Sequence, residues 1–146
     1  MQIAIIPPKQ VINAIKDALQ PYSSQLAAMQ PENTWHIPLC TLQDMPSLTP
    51  IRHSFHQTLR LLSIGEGSEK MSLSVRIQQS PSLTSLIASL PTEVTPCVPE
   101  ILLGSFDHMP AFGILDTPLN ITFSVRELAV IKTDPYEILG TIPVTS

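Results

Sequence analysis

Charged side chains are scarce in this sequence. They make up 14% of its residues, against about 25% in typical soluble domains. The eight Lys and Arg residues are scattered without a cluster, and the formal net charge is −4. Tight binding to an extended nucleic acid normally rests on several phosphate contacts made together. The sequence therefore predicts no strong nucleic-acid surface, although it is compatible with a small pocket for one or two phosphates.

Cysteine and glycine are also few. The two cysteines, Cys40 and Cys97, form no CxxC pair, which favours free, buried thiols over a disulfide framework. The five glycines build no P-loop and no dinucleotide-binding motif, and the sequence has no serine nucleophile elbow. We predict no cofactor.

Long apolar runs are absent as well. The apolar start, residues 1–6, contains no basic residue, and Pro7-Pro8 ends it. It is too short to span a membrane and lacks the basic region of a secretory signal. We expect no membrane partner and a cytoplasmic location.

What the sequence does contain suits one folded domain. Its 146 residues are 43% hydrophobic, and a chain of this length buries about 70% of the surface that it exposes when unfolded. Fifteen prolines are spread between periodic segments and mark turns rather than disorder. We predict a single domain over residues 1–146.

Hydrophobic periodicity predicts strands and helices that alternate along most of the chain. Period-two segments indicate strands, and apolar residues three and four apart indicate helices. The predicted strands are 2–7, 34–42, 71–78, 97–106, 121–131 and 136–144, the last two forming a hairpin around Thr133-Asp134-Pro135. The predicted helices are Lys9 to about Ala28, residues 47–60, and one opened by Ser80-Pro81. Residues 91–96 and 107–120 are predicted loops.

These elements repeat once. A strand, a proline, a helix and a strand with His36 are followed by the same series ending in a strand with Glu100. Trp35-His36-Ile37-Pro38-Leu39-Cys40 aligns with Pro99-Glu100-Ile101-Leu102-Leu103-Gly104. The repeat predicts an α+β fold of two pseudo-twofold lobes with antiparallel sheets around a central groove, the natural ligand site. Lobe one takes about residues 1–64 plus the C-terminal strands, and lobe two about 70–120.

The chain resembles the 2H phosphoesterase superfamily, which includes 2'-5' RNA ligase-like proteins and cyclic phosphodiesterases. The resemblance spans almost the whole sequence, through the segments PENTWHIPL, VPEILLG, ELAVIKTDP and YEILGTIPV and the glycine turn at Gly65 and Gly67. Two His-x-Thr/Ser motifs, one on a strand of each lobe, define the family. The resemblance implies that the groove takes a nucleotide or an RNA end.

The family's chemistry needs four side chains. One His removes a proton from the attacking water or hydroxyl, the other protonates the leaving oxygen, and two hydroxyls hold the phosphate oxygens. In this chain His36 is kept, but Pro38 replaces the first Thr. Glu100 replaces the second His, and Leu102 replaces the second Thr. We therefore expect the two-histidine mechanism to be disabled, as in a pseudoenzyme.

The resemblance places His36 and Glu100 at the two catalytic positions of the groove. The further candidates for ligand binding there are Pro38, Leu102, Trp35, Cys40 and His108. His36 alone is more often a hydrogen-bonded strand histidine than a catalyst. An ion pair between His36 and Glu100 is as plausible as a ligand-binding role. A metal site has suitable ligand types but no ligand spacing, and we predict none.

Three functions remain open from the sequence. The first, which we favour, is a catalytically degenerate protein that binds a phosphorylated small ligand, a nucleotide or an RNA end in the groove. The second is an active phosphodiesterase that uses His36 with Glu100. The third is an interaction protein without a groove function, whose low surface charge favours a protein partner.

Overall fold

Two β-sheets form the body of the described structure. A computed structural model describes residues 1–25, 29–52, 57–90, 95–106 and 117–145. The first sheet has the strand order β3-β10-β9-β1-β2-β6, and the second has the order β7-β5-β4-β8. All pairs are antiparallel except β3 with β10, which is parallel. The predicted α+β class with two lobes is confirmed.

The strands and helices of the described residues have the following bounds. The strands are β1 Gln2–Ile5, β2 Ile37–Thr41, β3 Ile51–Arg52, β4 Gln57–Glu66, β5 Ser72–Ile77, β6 Thr95–Pro96, β7 Glu100–Ser105, β8 Thr117–Val125, β9 Glu127–Thr133 and β10 Tyr136–Thr145. The helices are α1 Lys9–Leu19 and α2 Pro81–Ala88, with 3₁₀ helices at Gln20–Gln25 and Glu32–Thr34.

The two helices begin where the prolines predict. Pro8 precedes α1, which buries Val11, Ile15 and Leu19 at a spacing of four residues. Pro81 opens α2, and the Ser80 hydroxyl caps it by accepting from the Leu83 N–H at 3.1 Å. Both prolines suit these places because an N–H in the first helical turn has no partner within the helix.

Each lobe contains the same bulged strand pair. In the first sheet Ala4 pairs with Pro38 and Ile3 with Cys40, so that Leu39 is an extra residue. In the second sheet Ser74 pairs with Leu102 and Leu73 with Gly104, so that Leu103 is extra. Leu39 and Leu103 occupy equivalent positions of the repeat. The strand that follows His36 and the strand that begins at Glu100 are therefore built alike, down to the position of one β-bulge.

One buried apolar cluster contains side chains from both sheets. It includes Ile37 and Leu39 of β2 together with Ile101 and Leu103 of β7, all with no exposed surface. In each strand the two buried side chains flank one side chain that faces the groove. β2 and β7 therefore each contribute to both the core and the groove.

The predicted helix over residues 47–60 is wrong. Ile51–Arg52 and Gln57–Glu66 are strands, and residues 53–56 lie outside the described part of the chain. Leu59 and Leu61 are buried whereas Leu62 is 38% exposed. The apolar residues fitted a helical period as well as a strand, and pairing of β4 with both β5 and β8 decides for the strand. This strand belongs to the second sheet, although the predicted boundary placed residues up to 64 with lobe one.

Other predicted boundaries also change. The helix predicted to reach Ala28 is α-helical only to Leu19, because Pro21 has no N–H to donate to the Asp17 carbonyl. The predicted strand 121–131 is divided at Arg126, so β8 lies in the second sheet and β9 in the first. The strands expected from 34 and 97 begin later, at Ile37 and Glu100.

The predicted loops are shorter than expected. Thr95–Pro96 is a strand, and Thr117–Asn120 forms the start of β8. The remainder of the loop predicted at 107–120 lies outside the described residues. The predicted hairpin is confirmed, since β9 and β10 pair across a turn at Asp134-Pro135. The single-domain organisation stays a prediction.

Among the described residues, neither helix has the length and apolar character that a membrane crossing requires.

Candidate ligand-binding groove

A groove of about 390 Å³ lies between the two sheets. We call it the inter-lobe groove. The described residues that line it are Gln2, Gln30, Thr34, His36, Pro38, Ser68, Glu69, Ser72, Cys97, Val98, Glu100, Leu102 and Thr133. Pockets that hold small ligands measure about 300 to 1,000 Å³, so this groove has the size of a small-ligand site.

The four positions of the two motifs all line this groove. His36 and Pro38 stand on the lobe-one wall, and Glu100 and Leu102 stand on the lobe-two wall. His36 and Pro38 lie on either side of the buried Ile37, where β2 begins, and Glu100 and Leu102 lie on either side of the buried Ile101 in β7. Side chains two apart face the same side of an extended chain.

His36 is held by hydrogen bonds at both ring nitrogens. Its Nδ1 lies 2.7 Å from the Thr34 carbonyl oxygen, and its Nε2 lies 3.2 Å from the Gln2 side-chain oxygen. A carbonyl oxygen only accepts, so Nδ1 carries the proton. The Gln2 amide accepts from Nε2 when the ring is a cation, and after rotation it donates to Nε2 when the ring is neutral. Gln2 thus suits both protonation states of His36.

Tyr136 packs against the same imidazole. The ring centroids of His36 and Tyr136 are 5.8 Å apart with a tilt of 35°, a normal aromatic contact. Burial raises the pKa of the Tyr136 phenol above its ordinary value, so the phenol is neutral at physiological pH. The Tyr136 ring therefore adds an uncharged surface that orients His36.

Glu100 is engaged by the turn between β4 and β5. The Ser68 N–H donates to Oε1 and Oε2 of Glu100 at 3.1 and 3.2 Å, and the Ser68 hydroxyl donates to Oε1 at 2.5 Å. His36 and Glu100 each have these other partners, and no ion pair joins them in the described structure. The predicted ion pair between these two residues is therefore wrong, because the Glu100 carboxylate is bound to Ser68 instead of His36.

The β4–β5 turn lies close to β5. A Cβ built at Gly67 would overlap the hydroxyls of Ser72 and Ser74, so a residue without a side chain is required there. The Ser72 hydroxyl donates to the Glu69 carbonyl at 2.6 Å. The Ser74 hydroxyl is buried and has no partner among the described residues. The turn therefore packs closely on β5 at Gly67 and brings Ser68 and Glu69 to the groove.

Two predicted ligand-binding residues lie outside the groove lining. Cys40 is fully buried in the core, because the bulge at Leu39 reverses the alternation of β2. Trp35 is 3% exposed and its indole N–H donates to the Gln30 carbonyl. Trp35 lines a separate, shallower pocket of about 290 Å³, which contains Lys16 and Gln20 and adjoins the groove at Gln30. His108 lies outside the described residues.

Both cysteines are free thiols. Burial raises the pKa of the Cys40 thiol, and the nearby Cys97 raises it further. A raised thiol pKa lowers the thiolate fraction and with it the reactivity of the side chain. Cys97 is partly exposed and lines the groove, a position that the sequence did not assign to it.

The charges in the groove are mainly negative. Its described lining contains the carboxylates of Glu69 and Glu100, the imidazole of His36 and no Lys or Arg. Across the described residues, no group of three or more His, Cys, Asp or Glu side chains has the arrangement to hold a metal ion. The described lining offers hydrogen bonding through one imidazole, amides, hydroxyls, carboxylates and the Cys97 thiol.

Ser68 and Gln2, which contact Glu100 and His36, are among the groove residues that sequence reasoning missed. Gln2 precedes the apolar part of β1 and was assigned only to a strand end. Ser68 follows the glycine turn at Gly65 and Gly67, and that turn was the signal for a close approach to a neighbouring strand. Neither residue type identifies a site without the contacts that the fold creates.

Comparison with known proteins agrees with this geometry. No family model matches the sequence, and no curated protein sequence matches it either. Among solved structures, Escherichia coli LigT complexed with phosphate is 18% identical, with a TM-score of 0.72 over 99% of this chain and 96% of LigT. TT0787 of Thermus thermophilus is 15% identical, with a TM-score of 0.70 over 97% of this chain and 96% of TT0787.

A protein described as a phosphoesterase is also similar. It is 16% identical, with a TM-score of 0.66 over 99% of this chain and 97% of that protein. Near-complete coverage of both partners means that the likeness extends over both lobes. The chain therefore has the two-lobed fold of LigT and of this phosphoesterase, and the fold that the sequence resemblance implied is confirmed.

Proposed function

We propose that this protein binds a nucleotide or a nucleotide-like RNA end in the inter-lobe groove without hydrolysing it by two-histidine chemistry. The observation that carries the proposal is that both motif pairs, His36 with Pro38 and Glu100 with Leu102, line one groove of ligand size. One imidazole remains there, and the second has been replaced by a carboxylate.

The lobe-one wall supplies the donors for a phosphoryl group. The His36 Nε2 bears a proton when the ring is a cation, the Gln2 amide has two N–H groups, and Thr133 has a hydroxyl. These groups stand on the side of the groove away from Glu100. LigT, which has this fold, has been solved in complex with ATP and with 3'-AMP, and this supports a nucleotide as the class of ligand.

Catalysis by His36 and Glu100 together is the weaker alternative. Two-histidine chemistry needs a second imidazole to protonate the leaving oxygen, and Glu100 supplies no cationic acid at that position. Leu102 and Pro38 bring no hydroxyl to hold the phosphate oxygens. Binding without turnover fits these contacts better.

Nucleotide binding is expected to raise the melting temperature. A ligand present at 100 times its dissociation constant adds about 2.7 kcal/mol to the free energy of unfolding. Thermal-shift measurements with 3'-AMP, ATP and phosphate, followed by titration calorimetry, provide the test. His36→Ala is expected to weaken 3'-AMP binding by about tenfold, the loss of a charge-assisted hydrogen bond.

Lys16→Ala is the control for this experiment. Lys16 belongs to the separate pocket beside Trp35, so its removal is expected to leave 3'-AMP affinity unchanged. If no nucleotide or RNA end shifts the melting temperature, nucleotide binding is refuted and the interaction-protein hypothesis takes its place. The cytoplasmic location and the association with a protein partner stay predictions.

A further inference from the structure

The Glu100 carboxylate already binds two neighbouring donors. The Ser68 N–H and hydroxyl approach it together, at distances between 2.5 and 3.2 Å. Both residues line the inter-lobe groove, and the contact joins the β4–β5 turn to the first residue of β7. Lobe two therefore presents a carboxylate that accepts a pair of adjacent donors at the position equivalent to His36.

An anionic phosphoryl group does not suit this end of the groove. Glu69 contributes a second carboxylate to the lining, and no Lys or Arg of the described chain lines it. Like charges repel, and the repulsion grows as burial removes solvent. The phosphoryl group of a bound nucleotide belongs beside His36, and the rest of the ligand extends toward Glu100.

We propose that Glu100 is a specificity-determining residue that binds the nucleobase and selects guanine. The inference rests on the nucleotide binding proposed above. Guanine presents two adjacent donors, the N1–H and the N2 amino group, on one edge. Adenine and cytosine have an acceptor nitrogen beside their amino group, and uracil has a carbonyl oxygen on each side of its N–H. Guanine alone of the four bases reproduces the donor pair of Ser68.

Binding then exchanges one donor pair for another. The N1–H and N2–H of guanine take the place of the Ser68 N–H and hydroxyl on Glu100. The β4–β5 turn shifts at Ser68, which is an exposed residue, and water then satisfies the Ser68 N–H and hydroxyl. The Glu100 carboxylate keeps its hydrogen bonds throughout, so the exchange leaves no charged group unpaired in the groove.

Titration calorimetry with 3'-GMP, 3'-IMP and 3'-AMP tests the selection. Inosine keeps the N1–H and lacks the N2 amino group, so 3'-GMP is expected to bind about tenfold more tightly than 3'-IMP. 3'-AMP is expected to bind more weakly than 3'-IMP, because its N1 lone pair faces the carboxylate.

Two variants distinguish the loss of the hydrogen-bond acceptor at Glu100 from the loss of a negative charge in the groove. Glu100→Met removes the acceptor and is expected to reduce the preference for 3'-GMP over 3'-IMP to twofold or less. Glu69→Met removes the same charge from the same groove and is expected to keep the tenfold preference. Loss of the preference in Glu69→Met as well would contradict a specific role for Glu100.

The outcomes distinguish this inference from the proposed function. If the unaltered protein binds the three nucleotides with equal affinity, nucleotide binding stands and guanine selection is overturned. If it binds none of the three, guanine selection is overturned, and the proposed function fails as well if ATP and an RNA end also do not bind. N-acetylarginine amide, whose guanidinium also offers paired donors, serves as a further ligand. Binding of this amide without binding of any nucleotide would overturn the inference in favour of a peptide.

Discussion

Incubated with 2',3'-cyclic nucleotides or a 2'-5'-linked dinucleotide, the protein is expected to release no product above the uncatalysed background. Loss of a general acid or base costs about 10²- to 10⁴-fold in rate. Loss of a donor that stabilises the transition state costs about 10²- to 10³-fold more. In lobe two, Glu100 stands in place of the second histidine and Leu102 in place of a hydroxyl donor. In lobe one, Pro38 stands in place of the other hydroxyl donor. Chromatographic detection of nucleotide products over hours measures the effect.

A histidine variant identifies the source of any residual turnover. His36→Ala removes the remaining imidazole of the groove, so a contaminating phosphodiesterase in the preparation would act equally on both samples. Measurable hydrolysis that disappears in His36→Ala would establish catalysis by this groove. That result would contradict binding without turnover and favour the alternative in which His36 acts with Glu100.

Ile101→Ala is expected to lower the free energy of unfolding by about 2 to 5 kcal/mol. Ile101 has no exposed surface and belongs to the core cluster that contains side chains of both sheets. Truncation removes buried methyl groups and leaves a cavity that the packed surroundings only partly fill. Urea unfolding followed by circular dichroism measures the loss.

Leu102→Ala is the matched control on the same strand. Leu102 is 36% exposed and lines the groove, so its truncation is expected to cost under about 1 kcal/mol. Equal costs for the two variants would mean that β7 does not alternate between core and groove, and the assignment of Glu100 to the groove would fail with it.

The sequence predicted the parts of the fold that depend on local signals. Ser80-Pro81 marked the start of α2 because a capping hydroxyl and a proline act within one turn. The β9–β10 hairpin followed from the turn residues between two apolar runs. The equivalent positions of His36, directly before β2, and Glu100, at the start of β7, followed from the internal repeat, which the shared bulge at Leu39 and Leu103 supports.

The parts that the sequence did not predict depend on contacts distant in the chain. Leu59 fitted a helix and a strand equally, and only pairing with two neighbouring strands decided between them. The bulge at Leu39 turned Cys40 into the core, which no spacing rule reveals. Ser68 reaches Glu100 across 32 positions of sequence. A site built from such contacts becomes visible only when the chain is folded.

The two halves of the groove differ chemically although the strands that form them are alike. Lobe one offers an imidazole held by Thr34 and Gln2. Lobe two offers a carboxylate held by Ser68. A symmetric pair of histidines suits a phosphate between the lobes, whereas an imidazole opposite a carboxylate suits a ligand with an acceptor-rich end and a donor-rich end. This difference is the physical reason to expect binding in place of turnover.

Chemical-shift mapping on ¹⁵N-labelled protein tests most directly whether the inter-lobe groove is the ligand site. Titration with 3'-GMP is expected to shift the amide resonances of Gln2, His36, Ser68 and Leu102. The amides of Lys16 and Gln20, beside the separate pocket, are expected to stay in place. Shifts centred on Lys16 and Gln20, with the four groove amides unmoved, would contradict the account.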